Sequence, residues 1–173
     1  MMSKKALFIV PPERFNEVEF FWPKEVLEKA GVEVTIASTS TGEIIGDYQG
    51  RVTATTVFSE TPSSDYGVVA VMGGSGTNDF LCNNPELHSY IKQAHTEKCV
   101  VAGICAGAVA IAETGLLTGR KATCYPVDWQ KEQLKAYNAE YLEQHIVVLD
   151  DIITADGPEG AESFGIALLN VLN

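Results

Sequence analysis

Short apolar runs alternate with amphipathic segments along most of the chain. The run KALFIV at 5–10 precedes a segment at 17–30 whose apolar positions recur with a helical period, and Gly31 closes that segment. A second β-prone run, VEVTIAS, follows at 32–38. Runs of this length indicate strands, and the period between them indicates a helix. The chain therefore opens with a predicted β-α-β unit.

The same alternation continues to the end of the chain. Residues 43–66 hold short β-prone pieces among Gly, Ser, Thr and Pro, which predict a small hairpin or excursion. The later pattern predicts strands near 66–74, 99–104, 121–125, 146–149 and 152–155, and helices at 85–98, 106–113, 128–137 and 158–172. Apolar strands separated by helices favour a mostly parallel sheet covered on both faces, a three-layer α/β sandwich.

Composition and charge narrow the possible functions. A chain of 173 residues, 46% of them hydrophobic and 20% charged, predicts one soluble globular domain spanning 1–173. The formal charge of −11 argues against nucleic acid or an anionic membrane surface as a partner. The first apolar run ends at Pro11 and is too short for a signal peptide or a membrane span, so we expect a cytoplasmic protein.

The cysteines indicate free thiols in a reducing compartment. There are four of them, and none belongs to a CxxC motif or to a Cys/His pair at zinc spacing: Cys82, Cys99, Cys105 and Cys124. We therefore expect no metal site.

Cys105 is the candidate nucleophile. It follows the predicted strand at 99–104 and lies in GICAG, a G-x-C-x-G pattern in which small neighbours allow a strained turn that displays the side chain. Ligands of parallel sheets bind outside the carboxyl ends of the strands, where this turn falls. The helix that begins at Ala106 is expected to lower the thiol pKa from its ordinary value of about 8.5.

A free cysteine is more often a small buried residue, so the elbow alone leaves both interpretations open. The glycine cluster MGGSGTN at 72–78 ends another predicted strand, and its backbone N–H groups can face the same crevice. Together with the N–H of Ala106 they would form an oxyanion hole. The alternative for this cluster is an ordinary tight strand-to-helix loop.

Three stretches, VVAVMGG, CVVAGICAGAVAIAETGLLTGRKAT and ITADGPEGAESFGIALLNVL, together resemble the ThiJ/PfpI superfamily. That superfamily includes the parkinsonism-associated deglycase and the PfpI-type intracellular peptidases. The resemblance extends over nearly the whole chain. It implies a flavodoxin-like αβα sandwich, usually dimeric, with a reactive cysteine at the nucleophile elbow.

The resemblance also assigns further site residues. Glu19, four residues before Pro23 in EVEFFWP, matches a family glutamate that lies against the cysteine, whereas the residues alone favour a polar position on the helix's outer face. Gly74 and Ala106 match the residues that donate the oxyanion N–H groups. Arg51 resembles an arginine that reaches the partner subunit's pocket, and an exposed strand arginine is the alternative.

Two departures from the family pattern bear on activity. Ala106 stands where PfpI-type peptidases have a histidine, which argues against proteolysis. Tyr125, in TCYP, stands where the deglycase branch has a histidine before proline. Tyr125 can hydrogen-bond a substrate oxygen, but an ordinary tyrosine pKa near 10 makes it a poor base.

Two rival arrangements are less well supported. Cys105, Asp128 and His145 follow the nucleophile, acid, base order of α/β-hydrolases, but His145 begins a predicted strand and is expected opposite the crevice. Glutamine amidotransferases share the elbow but need a late histidine and glutamate pair, and DGPEG supplies no histidine.

The sequence therefore predicts a cofactor-free cysteine enzyme acting on a small carbonyl or amide substrate, of glyoxalase, deglycase or amidase type. Cys105 is its nucleophile, Glu19 moves the proton, and a homodimer is implied by the resemblance. The alternative is a redox-responsive protein without enzymatic activity, in which Cys105 is oxidised.

Overall fold

The computed structural model describes residues 3–173. Its strands are β1 (Lys5–Ile9), β2 (Glu33–Ser38), β3 (Gly42–Ile45), β4 (Arg51–Ala54), β5 (Thr56–Val57), β6 (Val68–Val71), β7 (Val100–Ile104), β8 (Lys121–Ala122), β9 (Glu140–Tyr141), β10 (Ile146–Val148) and β11 (Ile152–Ala155). Its helices are α1 (Glu17–Lys29), α2 (Ser75–Phe80), α3 (Pro85–Thr96), α4 (Ala106–Ala112), α5 (Asp128–Ala136) and α6 (Ala161–Leu172).

Seven strands form the central sheet in the order β10-β11-β7-β6-β1-β2-β5. All neighbours pair in parallel except β10, which is antiparallel to β11. This order brings the carboxyl ends of β6, β7 and β11 to one stretch of the sheet edge. The predicted mostly parallel sheet is confirmed.

Two apolar cores lie on opposite faces of the sheet. Along β1, Leu7 and Ile9 belong to the core under α3, α4 and α5, while Ala6 and Phe8 belong to the core under α1 and α6. Successive side chains of a strand point to opposite faces, so a continuously apolar strand needs helices on both sides. The predicted three-layer sandwich is therefore confirmed.

The structure corrects the local prediction in three places. The predicted strand at 121–125 is only β8, which pairs with β9 outside the main sheet. The glycine-rich segment after β6 forms α2, which the pattern did not predict. The excursion at 43–66 contains the β3–β4 hairpin as predicted, but its end, β5, adds to the sheet edge beside β2.

Helices of the described part of the chain are short. Within residues 3–173 we find none with the length and apolar character needed to cross a membrane.

Candidate active site

Cys105 lies at the turn between β7 and α4. Its φ of 58° and ψ of −125° are unusual for a residue with a side chain, and its N–H donates to the carbonyl oxygen of Ala155 at 3.0 Å. A Cβ on Gly103 would lie 2.5 Å from the carbonyl oxygen of Gly107, and a Cβ on Gly107 would overlap the carbonyl oxygen of Val71. The G-x-C-x-G spacing therefore leaves room for the strained turn that the sequence predicts.

The half-buried Cys105 side chain opens into a cleft of about 530 Å³ at the carboxyl edge of the sheet. The cleft has contributions from α1, the hairpin loop, the turn into α2, the elbow and α5. Of the six predicted site residues, five line it: Glu19, Gly74, Cys105, Ala106 and Tyr125. The position agrees with the rule that ligands of parallel sheets bind at this edge.

Glu19 reaches the cleft from the first turn of α1, and its side chain is only 1% exposed. The side chain of Asn16 caps the helix by accepting from the Glu19 N–H at 3.0 Å, and the Asn16 N–H donates to the Gly73 carbonyl at 3.0 Å. A side chain on Gly73 would overlap Glu19 Oε1 and lie 2.8 Å from Cys105 Cβ. A glycine at this position therefore lets the carboxyl group approach the thiol, so Glu19 is not on the helix's outer face.

The pKa of Glu19 is raised to about 8: burial raises it most, the interaction with the Cys105 thiol lowers it, and the nearby carboxylates of Asp47 and Asp156 raise it. The carboxyl group is therefore protonated at neutral pH. Its Oε1 atom is buried without a hydrogen-bond partner among residues 3–173, so no other group of the described chain holds this oxygen by a hydrogen bond.

The pKa of the Cys105 thiol is raised, mainly by burial and next by the adjacent Glu19 carboxylate. The Gln130 side-chain amide and the Ala106 N–H lower it, but they do not outweigh burial. The expectation that the α4 N-terminus leaves a low-pKa thiol is therefore wrong. That expectation counted the donors of the helix end and left out the cost of placing an anion in a buried site.

Cys105 and Glu19 act as one proton-sharing pair. Two adjacent anions in a buried site repel, so the pair holds two protons below about pH 8 and one above it. When the remaining proton lies on Glu19, Cys105 is a thiolate, the form in which a cysteine can act as a nucleophile. The chemistry of the site thus depends on both groups together.

Two backbone N–H groups of the cleft belong to residues that the sequence assigns to an oxyanion hole, Ala106 and Gly74. The Ala106 N–H points toward Cys105 Sγ. The Gly74 N–H lies at the turn into α2, where φ is 133°, and it donates to no acceptor within residues 3–173, whereas the next N–H, of Ser75, is taken by Asp47 at 3.1 Å. Gly74 and Ala106 thus both line the cleft, and the Gly74 N–H is free to donate to a bound group.

The two predicted substrate-binding residues have different locations. Tyr125 lies at the rim of the cleft, with 41% of its surface exposed. Arg51 lies on β4 and pairs with Glu43 of the same hairpin. Arg51 is not among the residues that line the cleft of its own chain.

His145 is not where the sequence predicts it. Because β10 runs antiparallel to β11, the start of β10 lies at the carboxyl edge, and His145 Nδ1 is 2.7 Å from Oδ2 of Asp156. This contact raises the pKa of His145. The hydrolase-like triad is nevertheless not assembled, since His145 pairs with Asp156 instead of Asp128 and does not line the Cys105 cleft.

Sequence reasoning missed several residues of the cleft. Gln130 contacts the sulfur from α5, which the pattern indicates only as a covering helix. Arg14 pairs with Asp79, and Asp47 accepts from the Ser75 hydroxyl at 2.6 Å. No motif marks these residues, because each reaches the cleft from a separate loop or helix.

The charged groups at the cleft mouth carry a net negative charge. Arg14 is held by Asp79, and Asp47 is left without a cationic partner among the residues of the cleft. In residues 3–173, histidine, cysteine and carboxylate side chains form no group of three with a geometry suited to a metal ion.

Comparison with known proteins agrees with this geometry. An uncharacterized protein of Methanocaldococcus jannaschii is 33% identical over 172 residues, which cover 99% of this chain and 84% of that protein. The glutathione-independent glyoxalase DJR-1.2 of Caenorhabditis elegans is 25% identical over 170 residues, covering 98% of this chain and 89% of the glyoxalase. The crystal structure of a ThiJ/PfpI domain protein from Brachyspira murdochii superposes with a TM-score of 0.95 at 26% identity, covering 100% of this chain and 98% of that one.

The flavodoxin-like fold is thus confirmed, and so is the resemblance drawn from the sequence. Residues 4–171, nearly the whole of the described structure, match one family description. With a cysteine at the turn between β7 and α4 and this match along its length, the chain belongs to the DJ-1/PfpI family.

Proposed function

We propose that the protein is a cofactor-independent glyoxalase that converts small 2-oxoaldehydes to 2-hydroxy acids through Cys105. The observation that carries the proposal is the Cys105–Glu19 pair, in which a carboxyl group that is protonated at neutral pH lies against the nucleophile. A relative named as a glutathione-independent glyoxalase, 25% identical over 98% of the chain, supports it.

The chemistry follows from that pair. Because the pair holds two protons at neutral pH, it first releases one proton to the solvent, which leaves Cys105 as the thiolate and Glu19 protonated. Cys105 Sγ then attacks the aldehyde carbon, forming a C–S bond as the C=O π bond breaks. The new alkoxide accepts hydrogen bonds from the Gly74 and Ala106 N–H groups, where one such donor is worth about 3 kcal/mol. Glu19 then protonates the oxygen, which gives a hemithioacetal.

An internal redox step completes the conversion. Glu19, now a carboxylate, removes the proton from the former aldehyde carbon, and a proton is returned to the neighbouring ketone carbon by way of an enediol. The aldehyde carbon is thereby oxidised to a thioester while the ketone is reduced to an alcohol. Water then releases the 2-hydroxy acid and restores the thiol, so no external oxidant or reductant is consumed.

The cleft suits an uncharged substrate better than an anionic one. Asp47 has no cationic partner there, and the guanidinium of Arg14 is already taken by Asp79. A substrate carboxylate would therefore meet net negative charge. Peptide hydrolysis is less well supported, since Ala106 supplies no base beside the nucleophile.

The test is formation of lactate from methylglyoxal without glutathione, followed by proton NMR. We expect turnover in the wild type, none above background in Cys105→Ala, and wild-type turnover in Cys99→Ala. Cys99 is the matched control, because it is also a free cysteine but is buried and precedes the opposite end of β7. A wild type that shows no turnover, but whose Cys105 is oxidised to sulfinate by peroxide, would contradict the proposal and favour the redox-responsive alternative.

We also propose that the protein is a homodimer. Glu17 of α1 accepts hydrogen bonds from the hairpin loop, and these two neighbouring elements expose five large apolar side chains: Val18, Phe21, Trp22, Ile45 and Tyr48. We call this set the α1–hairpin face. Exposed apolar groups of this size are typical of an interface. The same hairpin carries Arg51, so a partner at this face would be close to the arginine that the resemblance directs to a partner's pocket.

A further inference from the structure

Gln130 is a buried polar residue whose side chain has a defined hydrogen-bond partner at each end. It lies in the first turn of α5 and is 3% exposed. Its Oε1 accepts from the Tyr125 N–H at 2.9 Å, and its Nε2 lies 3.5 Å from Cys105 Sγ. One side chain thus connects the nucleophile to the backbone of the residue that replaces the family histidine.

These contacts determine the orientation of the Gln130 side-chain amide. The Tyr125 backbone N–H can only donate, so it must face the oxygen of the Gln130 amide. The NH₂ group, which can only donate, is therefore directed at the sulfur. A sulfur that faces such a donor is stabilised more as a thiolate than as a thiol, because hydrogen bonds to charged acceptors are the stronger ones.

Gln130 differs from Glu19, the other polar side chain at the sulfur, because it does not titrate. The titratable group that faces Sγ is Glu19 of α1, whose own environment includes Asp47 in the hairpin loop and Asp156 after β11. Glu19 becomes an anion above about pH 8 and then opposes the thiolate. The amide of Gln130 keeps its donor at every pH.

We propose that Gln130 is a catalytic residue, whose side-chain amide donates a hydrogen bond to the Cys105 thiolate and stabilises it during attack. It supplies a donor beside the nucleophile where Tyr125 replaces the family histidine, but it cannot accept a proton. Proton transfer therefore falls to Glu19 alone. This inference deepens the proposed glyoxalase function and rests on it for the catalytic step only.

The reactivity of Cys105 tests the donor without any substrate. The alkylation rate at Cys105 is measured with iodoacetamide between pH 6 and 10 by peptide mass spectrometry, for wild type, Gln130→Met, Gln130→Glu and Gln133→Met. Methionine fills a similar volume without a donor. Gln133 lies one turn further along α5 and makes no side-chain hydrogen bond within residues 3–173, so it is the matched control.

We expect Gln130→Met to slow alkylation at pH 8 about tenfold, as the loss of one hydrogen bond to a charged group predicts. Gln130→Glu keeps an oxygen that accepts from the Tyr125 N–H, but it replaces the NH₂ group at the sulfur with a second oxygen. We therefore expect Cys105 alkylation at least as slow as in Gln130→Met. Gln133→Met should match the wild type. Turnover of methylglyoxal should fall in kcat, with KM nearly unchanged.

Two results would overturn the inference. One is a pH profile of Cys105 alkylation in Gln130→Met that coincides with the wild-type profile. The other is a Gln130→Glu protein that reacts like wild type while Gln130→Met does not, because this would show that Gln130 only anchors Tyr125. A wild type that alkylates as expected but converts no methylglyoxal would contradict the glyoxalase proposal and leave the thiolate contact supported.

Discussion

At the scale of single residues, the site shows what sequence can and cannot reveal. Cys105 is marked by the spacing of its neighbouring glycines, which is a local signal that the turn requires. Only the family resemblance assigns Glu19 to the site, because the sequence of α1 does not indicate which face of the helix packs against the sheet. No sequence motif indicates that Gln130 belongs to the site. The sign of the thiol pKa shift was also beyond the sequence, because desolvation is a property of the packed molecule.

The pH dependence of stability tests the burial of Glu19. Its pKa is about 8 in the folded protein and near 4.5 when exposed, so between these values the folded state binds more protons than the unfolded state. Wild-type stability should therefore fall as pH rises through that window. Glu19→Gln removes this penalty, so its stability relative to wild type should increase from pH 5 to pH 8, by at most about 1.4 kcal/mol per pH unit.

Urea unfolding of both proteins at pH 5 and pH 8 measures this difference. Glu25→Gln is the matched control, the same substitution at an exposed position of α1, and its difference from wild type should stay constant. A constant difference for Glu19→Gln as well would mean that Glu19 ionises in the folded protein much as it does in water.

At the scale of elements, most boundaries follow from apolar runs, and the errors have identifiable causes. The predicted strands at 146–149 and 152–155 are separated by two residues, too few for a parallel crossover, so their spacing already required an antiparallel pair. Taking β10 as parallel placed His145 at the wrong edge. By contrast, nothing in SGTNDF marks α2 as a helix, since its turn is held by tertiary contacts such as Asp47 with Ser75.

An ion-pair network should link the turn between β10 and β11 to α3 and to the segment that precedes β8. Asp151, in the turn between β10 and β11, accepts from Arg120 Nη1 at 2.9 Å and lies 2.6 Å from Nε2 of His95 on α3. These contacts hold the pKa of the Asp151 carboxyl well below its usual range. A double-mutant cycle of Asp151→Asn and Arg120→Met, measured by urea unfolding at pH 7, should give a coupling of about 1 kcal/mol, because both side chains are partly exposed.

Asp150→Asn, at the neighbouring position, is the control and should show no coupling to Arg120→Met beyond about 0.3 kcal/mol. If the Asp151 and Arg120 substitutions prove additive, this ion pair makes no measurable contribution to stability.

At the scale of the whole molecule, the sequence predicts the layers but not how copies of the chain associate. A continuously apolar strand must be covered on both faces, so the sandwich follows from the pattern. The exposed apolar residues of α1 are visible as a face only once the hairpin is placed beside them. That placement depends on Glu17, whose Oε2 accepts from the N–H groups of Tyr48 and Gly50, each at 2.8 Å.

We therefore expect the α1–hairpin face to form the dimer interface. Trp22 is 47% exposed at this face, and lysine there would place a charge in a dry interface without a partner. We expect the wild type to sediment as a dimer and Trp22→Lys as a folded monomer. Val148→Lys, at an exposed position of the edge strand β10, introduces the same charge elsewhere and should remain dimeric. A dimeric Trp22→Lys would exclude this face as the interface. A monomeric wild type would rule out the homodimer, and any part played by Arg51 in a partner's pocket would fall with it.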